Sequence, residues 1–372
     1  MSSAPATARQ LLERPGDHPV ISLYFDLDPE EFATAPARAT QARALIDEAK
    51  RLVEADESLD HDDRSSLASD VSRLDDYLAS DDLPVSGVRA LAIFSSRETD
   101  LFETVTLSRP TASNVFISRS PHVEPLVVQG DDEHWCAVLV TSRTGHVYRG
   151  KALQVTAEEK IGDYVRGHSQ GGAAGENTQE QDIEGHLLNL ARAIYHDWQR
   201  EPFSTLALGG PVESATRLQE LLHNDLRPTL AASHLGLDVA SATASDLEAA
   251  IAEVLDAQRQ ANAGRALEAL TETTRAVTGA ADTLEALNEH RVKTLLLSRD
   301  FSGSGGRCPS CGLLVAQGVG ICPADGTPVD PAADLREAAV QAAVVQNAAV
   351  IAFDEPQDEL GPARPIAALL RF

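Results

Sequence analysis

The sequence predicts a mixed α/β chain, and three observations lead there. Short runs in which apolar residues alternate, the mark of strands, are interleaved with longer runs in which they recur every three or four positions, the mark of helices. The chain has 372 residues, and at about 100–200 residues per domain this predicts two or three domains. Apolar residues make up 43% but aromatics only 4%, so cores are expected to rest on Ala, Leu and Val.

Taken in order, "ISLYFDLD" (21–28) alternates. Ile21, Leu23, Phe25 and Leu27 face one way and Tyr24 with the polar groups the other, which predicts a half-buried strand. Pro36 opens a helix carrying Leu45, Ile46, Ala49, Leu52 and Val53 on one stripe, and a second helix carries Leu67, Val71, Leu74 and Leu78. "GVRALAIFSS", "LFETVTLS", "NVFISRS" and "HVEPLVVQ" read as short strands, and an N-terminal α/β domain (1–130) ends there.

A central domain (131–260) starts with "HWCAVLVTS" and "HVYRGKALQV", a hairpin turning at Arg143-Thr144-Gly145. A Gly-rich loop (167–177) follows, then a helix from Thr178 to about Gln199 with Ile183, Leu187, Ala191, Ile194 and Trp198 on one face. "STLALGGP" reads as a strand, "ESATRLQELLHNDL" as a helix and "HLGLDVA" as a strand. From Ala244 the chain reads as Ala-rich helix to about Val277, broken near Ala263-Gly264. A C-terminal α/β domain (261–372) holds the strand "RVKTLLLS", a cysteine-bearing insert (303–330) entered through a "SGSGG" hinge, a helix (333–347) and the strands "AAVIAFD" and "IAALLRF".

Net charge is −26, so phosphate repels the chain as a whole and non-specific coating of nucleic acid is excluded. The imbalance is uneven. Residues 26–100 carry 19 Asp/Glu against 8 Lys/Arg, whereas 141–170 hold Arg143, Arg149, Lys151, Lys160 and Arg166 against Glu158, Glu159 and Asp163. Only the middle of the chain is therefore expected to approach RNA. There is no run of about 18 apolar residues and no secretory h-region at the start, so no membrane span is expected and the protein is read as cytoplasmic.

Of four cysteines, Cys136 lies in an apolar run and reads as a core residue; Cys308, Cys311 and Cys322 cluster. "CPSCG" (308–312) and "CPADG" (322–326) each read as a metal knuckle, two ligands bracketing a turn closed by Gly312 or Gly326. Their spacing lets both face one tetrahedral ion, with Asp325 in the fourth place: a structural Zn2+ site with no open position for substrate. The other reading is a ribbon that has lost its metal.

"GHSQG" (167–171) spells the G-x-S-x-G nucleophile elbow, with Ser169 as nucleophile. An elbow needs a buried apolar strand before it and a helix directly after. Here "EEKIGDYVR" precedes and "GAAGEN" follows, so a serine hydrolase is the minor reading and an inserted loop the major one.

The order of "ISLYFDLDP", "GGAAGENTQEQDIEGHLLNLA", "TLEALNEHRVKTLLLS", the two knuckles and the ending "IAALLRF" resembles the bacterial branch of the archaeo-eukaryotic peptide chain release factor family (Pelota / Balon-like ribosome-binding factors). The resemblance covers nearly the whole chain, best from about 131 onward. It implies a three-domain tRNA mimic entering the ribosomal A site, with rRNA as partner. The last domain would be kink-turn-binding ribosomal-protein-like, with a zinc-ribbon insert, and would contact a translational GTPase such as EF-Tu. Off the ribosome a monomer is expected.

True release factors of that family carry Gly-Gly-Gln at the loop tip. Here Gln170 precedes Gly171-Gly172, and the tripeptide at the helix start is Gly175-Glu176-Asn177. No Asn-Ile-Lys-Ser signature occurs in the first domain. Both departures point to a factor of hibernation or stalled-ribosome type that occupies the A site without hydrolysis, with no catalytic residue. A peptidyl-tRNA hydrolase in ribosome rescue, using Gln170 or Glu176, is the runner-up, and an adaptor that kept only the fold is a third. RNA-contacting candidates are Arg149, Lys151 and Arg166 for phosphates, and His168, Ser169, Gln170, Gly171, Gly172, Gly175, Glu176 and Asn177 at the loop tip.

Overall fold

The structure, a computed structural model, describes residues 4–14, 16, 18–29, 31–80, 83–84, 88–129, 133–162, 176–332, 334–354 and 365–372. In chain order it has α1 (Ala4–Leu12), β1 (Val20–Asp26), α2 (Ala35–Ala55), α3 (His61–Leu78), β2 (Ala90–Ser96), β3 (Leu101–Leu107), β4 (Asn114–Ser118) and α4 (Glu124–Gln129). Then come β5 (His134–Val140), β6 (Thr144–Lys151), β7 (Gln154–Gly162), α5 (Glu176–Arg200), β8 (Thr205–Gly209), α6 (Val212–Leu221), a 3-10 helix (Asn224–Thr229), β9 (Leu230–Leu235) and α7 (Ala244–Glu272). The chain closes with β10 (Ala276–Thr278), α8 (Ala280–Asn288), β11 (Val292–Ser298), β12 (Gly305–Arg307), β13 (Leu314–Ala316), β14 (Asp330–Ala332), α9 (Leu335–Val345), β15 (Ala349–Phe353) and β16 (Ile366–Leu370). The mixed α/β class is thus observed.

The chain divides into two compact units, one made of Met1–Asp131 with Asn262–Phe372 and the other of Asp132–Ala261. In the first, β3-β2-β1-β4 form an antiparallel sheet, β10-β16-β11-β15 a mixed one in which β11 and β15 run parallel, and β13-β12-β14 a small third. α2 and α3 cover one face of the first sheet through the stripes read from sequence: Leu45, Ile46, Ala49 and Val53, then Leu67, Val71, Leu74 and Leu78, are all buried against Ile21, Leu23 and Phe25.

β1 was expected to be half-buried and is not. Ser22 and Tyr24 on its other face are also buried, and Tyr24 joins a core shared with Leu284, Leu295 and Ala339 of the C-terminal segment. The core on that face joins Ala8, Leu11, Leu126 and Val127 to residues from the opposite end of the sequence, which local alternation cannot reveal. The joint is partly polar. Both Glu337 carboxylate oxygens accept backbone N–H bonds, from Val123 and Glu124, each at 2.8 Å. Gln341 donates to the Pro121 carbonyl at 3.1 Å, and Tyr24 Oη donates to the His122 carbonyl at 2.6 Å. Arg336 and Glu124 form an ion pair at 2.7 Å.

The second unit is a sheet of order β7-β6-β5-β8-β9, antiparallel through β7, β6 and β5 and parallel from β5 to β9. α5 packs Leu187, Leu190, Ala191 and Ile194 on one face of it, and α7 packs Leu247, Ile251 and Leu255 in a separate core with Trp135 and Leu139. Cys136 is fully buried and its thiol pKa is pushed up to about 12 by burial, as a core residue requires.

Five local expectations are corrected. "HVEPLVVQ" is not a strand: Pro125 cannot donate to a ladder but is tolerated in a first helical turn, and the segment forms α4 with Leu126 and Val127 buried. "EEKIG" continues β7, where exposed Glu158, Glu159 and Lys160 suit an edge strand. β9 starts at Leu230, ahead of the expected "HLGLDVA". α7 runs unbroken through Gly264, whose helix cost of about 1 kcal/mol is outweighed by the strong helix formers around it. The expected glycine hinge is half strand: Gly305 and Gly306 form β12, and a Cβ on Gly306 would overlap Val329 Cγ1 and lie 2.8 Å from the Asp330 carbonyl.

Candidate functional site

The two knuckles are brought together as their spacing predicts. In the first, Cys308 N donates to Leu313 O at 2.9 Å and Gly312 N to Cys308 O at 2.8 Å; in the second, Cys322 N donates to Thr327 O at 2.8 Å and Gly326 N to Cys322 O at 3.0 Å. Both turns close through a glycine at positive φ, 76° at Gly312 and 74° at Gly326, a conformation that costs a side chain-bearing residue energy. The two loops are near copies of one another, and each delivers two ligand atoms.

Those atoms, from Cys308, Cys311, Cys322 and Asp325, all lie within 4.8 Å of one another. Cys308 Sγ is 3.6 and 3.5 Å from the Asp325 carboxylate oxygens, and Cys311 Sγ is 3.5 Å from Cys322 Sγ. With Zn–S near 2.3 Å and Zn–O near 2.0 Å, a regular tetrahedron has edges of about 3.5–3.8 Å, so these separations fit a divalent ion of zinc size. Cys308 and Cys322 are buried, whereas Cys311 and Asp325 are exposed. The Asp325 carboxylate is oriented by the Thr327 N–H at 3.0 Å, and that backbone bond is the first cause holding its pKa below the usual carboxylate range. Three soft thiols and one hard oxygen in this arrangement could hold a metal ion through four protein ligands.

The central unit presents the other predicted residues. Lys151 ends β6 opposite His134 and is half-buried. Arg149 is committed within the protein: it meets Asp197 at 3.3 Å and Glu201 at 3.6 Å, donates to the Glu201 carbonyl at 2.6 Å, and stands over the Phe203 ring at 5.0 Å. A guanidinium with these partners is a tie between β6 and the end of α5, and RNA phosphate would have to compete for it. Arg143 and Lys160 are exposed on the same three-stranded edge. Arg166, His168, Ser169, Gln170, Gly171, Gly172 and Gly175 lie outside the described residues. Glu176 and Asn177 open α5. The described residues end with the edge strand β7 at Gly162 and resume with the 25-residue α5 at Glu176, so the G-x-S-x-G stretch lies outside them.

One grouping in this unit escaped the sequence. Tyr195 and Trp198 stack with ring centroids 6.0 Å apart, and Tyr195 stacks on His223 at 3.9 Å, both pairs inclined by 20°. The three-residue spacing of Tyr195 and Trp198 on a helix was a signal; nothing local connects His223 to them.

No protein-family model matches the chain, and no curated protein does. Among solved structures the chain is similar to an archaeal translation termination factor, aRF1, at 16% identity over 100% of this chain and 99% of that one, with a TM-score of 0.26. It is similar to Pelota of Archaeoglobus fulgidus at 13% identity over 76% and 79% of the two chains, TM-score 0.34. It is also similar to Dom34 of S. cerevisiae, described as a translation termination-like factor involved in RNA quality control pathways and interacting with Hbs1, at 12% identity over 76% and 79%, TM-score 0.39.

Proposed function

We propose that the chain is a ribosome-associated translation factor that occupies the A site without hydrolysing peptidyl-tRNA, as a hibernation or stalled-ribosome factor acting in the cytoplasm. One observation carries the reading. The loop that would reach the peptidyl-transferase centre leads from β7 into α5, and the helix opens on Glu176 with no Gly-Gly-Gln before it. A carboxylate in the place of that glutamine faces a developing oxyanion. At about 5 Å and an effective dielectric near 20 the repulsion is roughly 3 kcal/mol, on the order of a hundredfold in rate.

The order of domains and motifs in the sequence supports the ribosome as partner, with a translational GTPase such as EF-Tu delivering the protein through the C-terminal segment. The four-ligand cluster supports a structural Zn2+ held by Cys308, Cys311, Cys322 and Asp325. Bound there, zinc would cross-link the two knuckles and supply no reaction chemistry. The RNA-facing set is the glycine loop with Lys151 and Arg166, while Arg149 serves the fold.

Co-sedimentation with 70S ribosomes tests the reading. The wild type is expected to pellet with ribosomes and to release peptide from peptidyl-tRNA at background rate. Reversing Lys151 and Arg166 together should abolish pelleting and leave the urea midpoint unchanged; Arg149→Ala should lower that midpoint, by about 1–2 kcal/mol of stability, more than it weakens pelleting. Release well above background, lost in Gln170→Ala or Glu176→Ala, would replace this reading with a peptidyl-tRNA hydrolase.

A further inference from the structure

We infer that the ring ladder Trp198–Tyr195–His223 on the central unit is a stacking site for an unpaired nucleobase of RNA. The inference deepens the ribosome reading and rests on it for which RNA is bound; the stacking chemistry stands on the geometry alone.

Phe, Trp and Tyr are only 4% of this chain, so two of them in a row with a histidine ring that ends at the surface are a concentrated use of them. Tyr195 and Trp198 are half-buried against the core under α5, while the His223 side chain is 48% exposed. The ladder thus starts on packed apolar side chains and ends in solvent. Every ring is held by a polar bond. Trp198 Nε1 donates to the Phe203 carbonyl at 3.2 Å, Tyr195 Oη donates to Asp225 at 3.1 Å, and His223 Nδ1 accepts the Asp225 N–H at 3.2 Å. With the rings already fixed, a base added at the exposed end would order little of the protein, and that is what makes a stacking platform effective.

Arg192 and Arg200 on α5, the helix that carries Tyr195 and Trp198, and Arg227 on the 3-10 helix that follows His223 are exposed. The acidic residues Asp197 and Glu201 of the same region are engaged by Arg149, and Asp225 by Tyr195 and His223. A nucleotide arriving here meets guanidinium groups for its phosphate and a ring face for its base. That combination fits single-stranded RNA, whose unstacked bases are recognised by stacking on aromatic side chains.

The test is an anisotropy titration of the full chain with a fluorescein-labelled adenylate decamer at low salt. Wild type should bind it, and bind a uridylate decamer of equal charge less tightly because the smaller ring stacks less. His223→Ala should weaken adenylate binding by on the order of tenfold; His223→Phe, which keeps a ring in place, should retain it. No binding by wild type, equal affinity for the two decamers, or equal affinity of wild type and His223→Ala would each overturn the inference. Co-sedimentation with 70S ribosomes separates it from the reading beneath it. Ladder-dependent decamer binding by a protein that never pellets with ribosomes would remove the ribosome reading and leave the stacking site standing. Unaltered pelleting of His223→Ala would show that the ladder is not used on the ribosome and overturn that part of the inference.

Discussion

Asp325 is the residue on which the proposed metal site depends most. The two knuckles repeat each other bond for bond, yet the second ends its turn with a carboxylate where the first has the Cys311 thiol. Oxygen binds zinc less covalently than thiolate, and this oxygen is exposed. Protein purified without chelator should carry about one zinc per chain, and removing the metal should loosen residues 307–330 to protease. Changes in groups that merely hydrogen-bond to a ligand cost about 10–100-fold in metal affinity, so Asp325→Ala, which removes a direct ligand, should cost at least that in a chelator competition. Asp325→Cys should instead hold zinc longer than wild type; faster loss from the cysteine variant would mean that Asp325 does not face the ion. These four residues were legible because each knuckle is local: its ligands and its turn glycine lie within five positions. The internal partners of Arg149 were not legible, for the opposite reason. In the sequence it is one of several basic residues, and its partners Asp197 and Glu201 come from the far end of α5 and beyond it.

Among elements, helices and central strands were read well wherever one stripe or one alternation decided burial, as in α2, α3, β11 and β16. The misreadings share a cause: a local signal was outvoted by its surroundings. Gly264 reads as a break until the helix formers on either side are weighed, and "HVEPLVVQ" reads as a strand until Pro125 is seen to sit at the second residue of α4. Gly305-Gly306 resembles a flexible linker, but in β12 it is a strand on which β13 and β14 close tightly. The Gly306 position faces Val329 and the Asp330 carbonyl, so even one methyl must displace backbone. Gly306→Ala should destabilise the insert by about 1–3 kcal/mol, the usual cost of overpacking. Limited proteolysis should then cut between 307 and 330 sooner than in wild type, with Gly320→Ala, whose Cβ meets nothing, as the neutral control.

At the scale of the molecule, the joint between the N-terminal and C-terminal segments turns on Glu337 and His122, whose Oε2 and Nδ1 are 3.5 Å apart and which are both buried. Burial pushes Glu337 up to about 7 and His122 down to about 4, so both favour the neutral form in the folded protein. Their effects on stability have opposite signs. Stability from a raised Glu337 is present below its unfolded value near 4.5 and lost as pH rises toward 7, whereas stability from a lowered His122 is present above about 6.5 and lost as pH falls toward 4. Across about pH 4.5–6.5 the two nearly cancel, each being worth roughly 3 kcal/mol at most. Urea midpoints of wild type should therefore vary little with pH there from this pair. Glu337→Gln should become less stable as pH falls through the window and His122→Phe less stable as it rises; parallel slopes in the two variants would refute the assignment. Nothing near Tyr24 in the sequence discloses this joint, because Glu337 and the C-terminal members of its core come more than 250 positions later. That separation has a consequence for how the protein is made. At about 5–20 residues per second, a nascent chain that has finished β1 must wait on the order of 15–60 s for α9, and until then the core around Tyr24 has only its N-terminal members. Residues 132–261 can fold in that interval, since their contacts are their own. The first unit to be started is thus the last to be completed, and a truncated product ending between Ala261 and Glu337 should be held by chaperones or degraded while its central unit is already native.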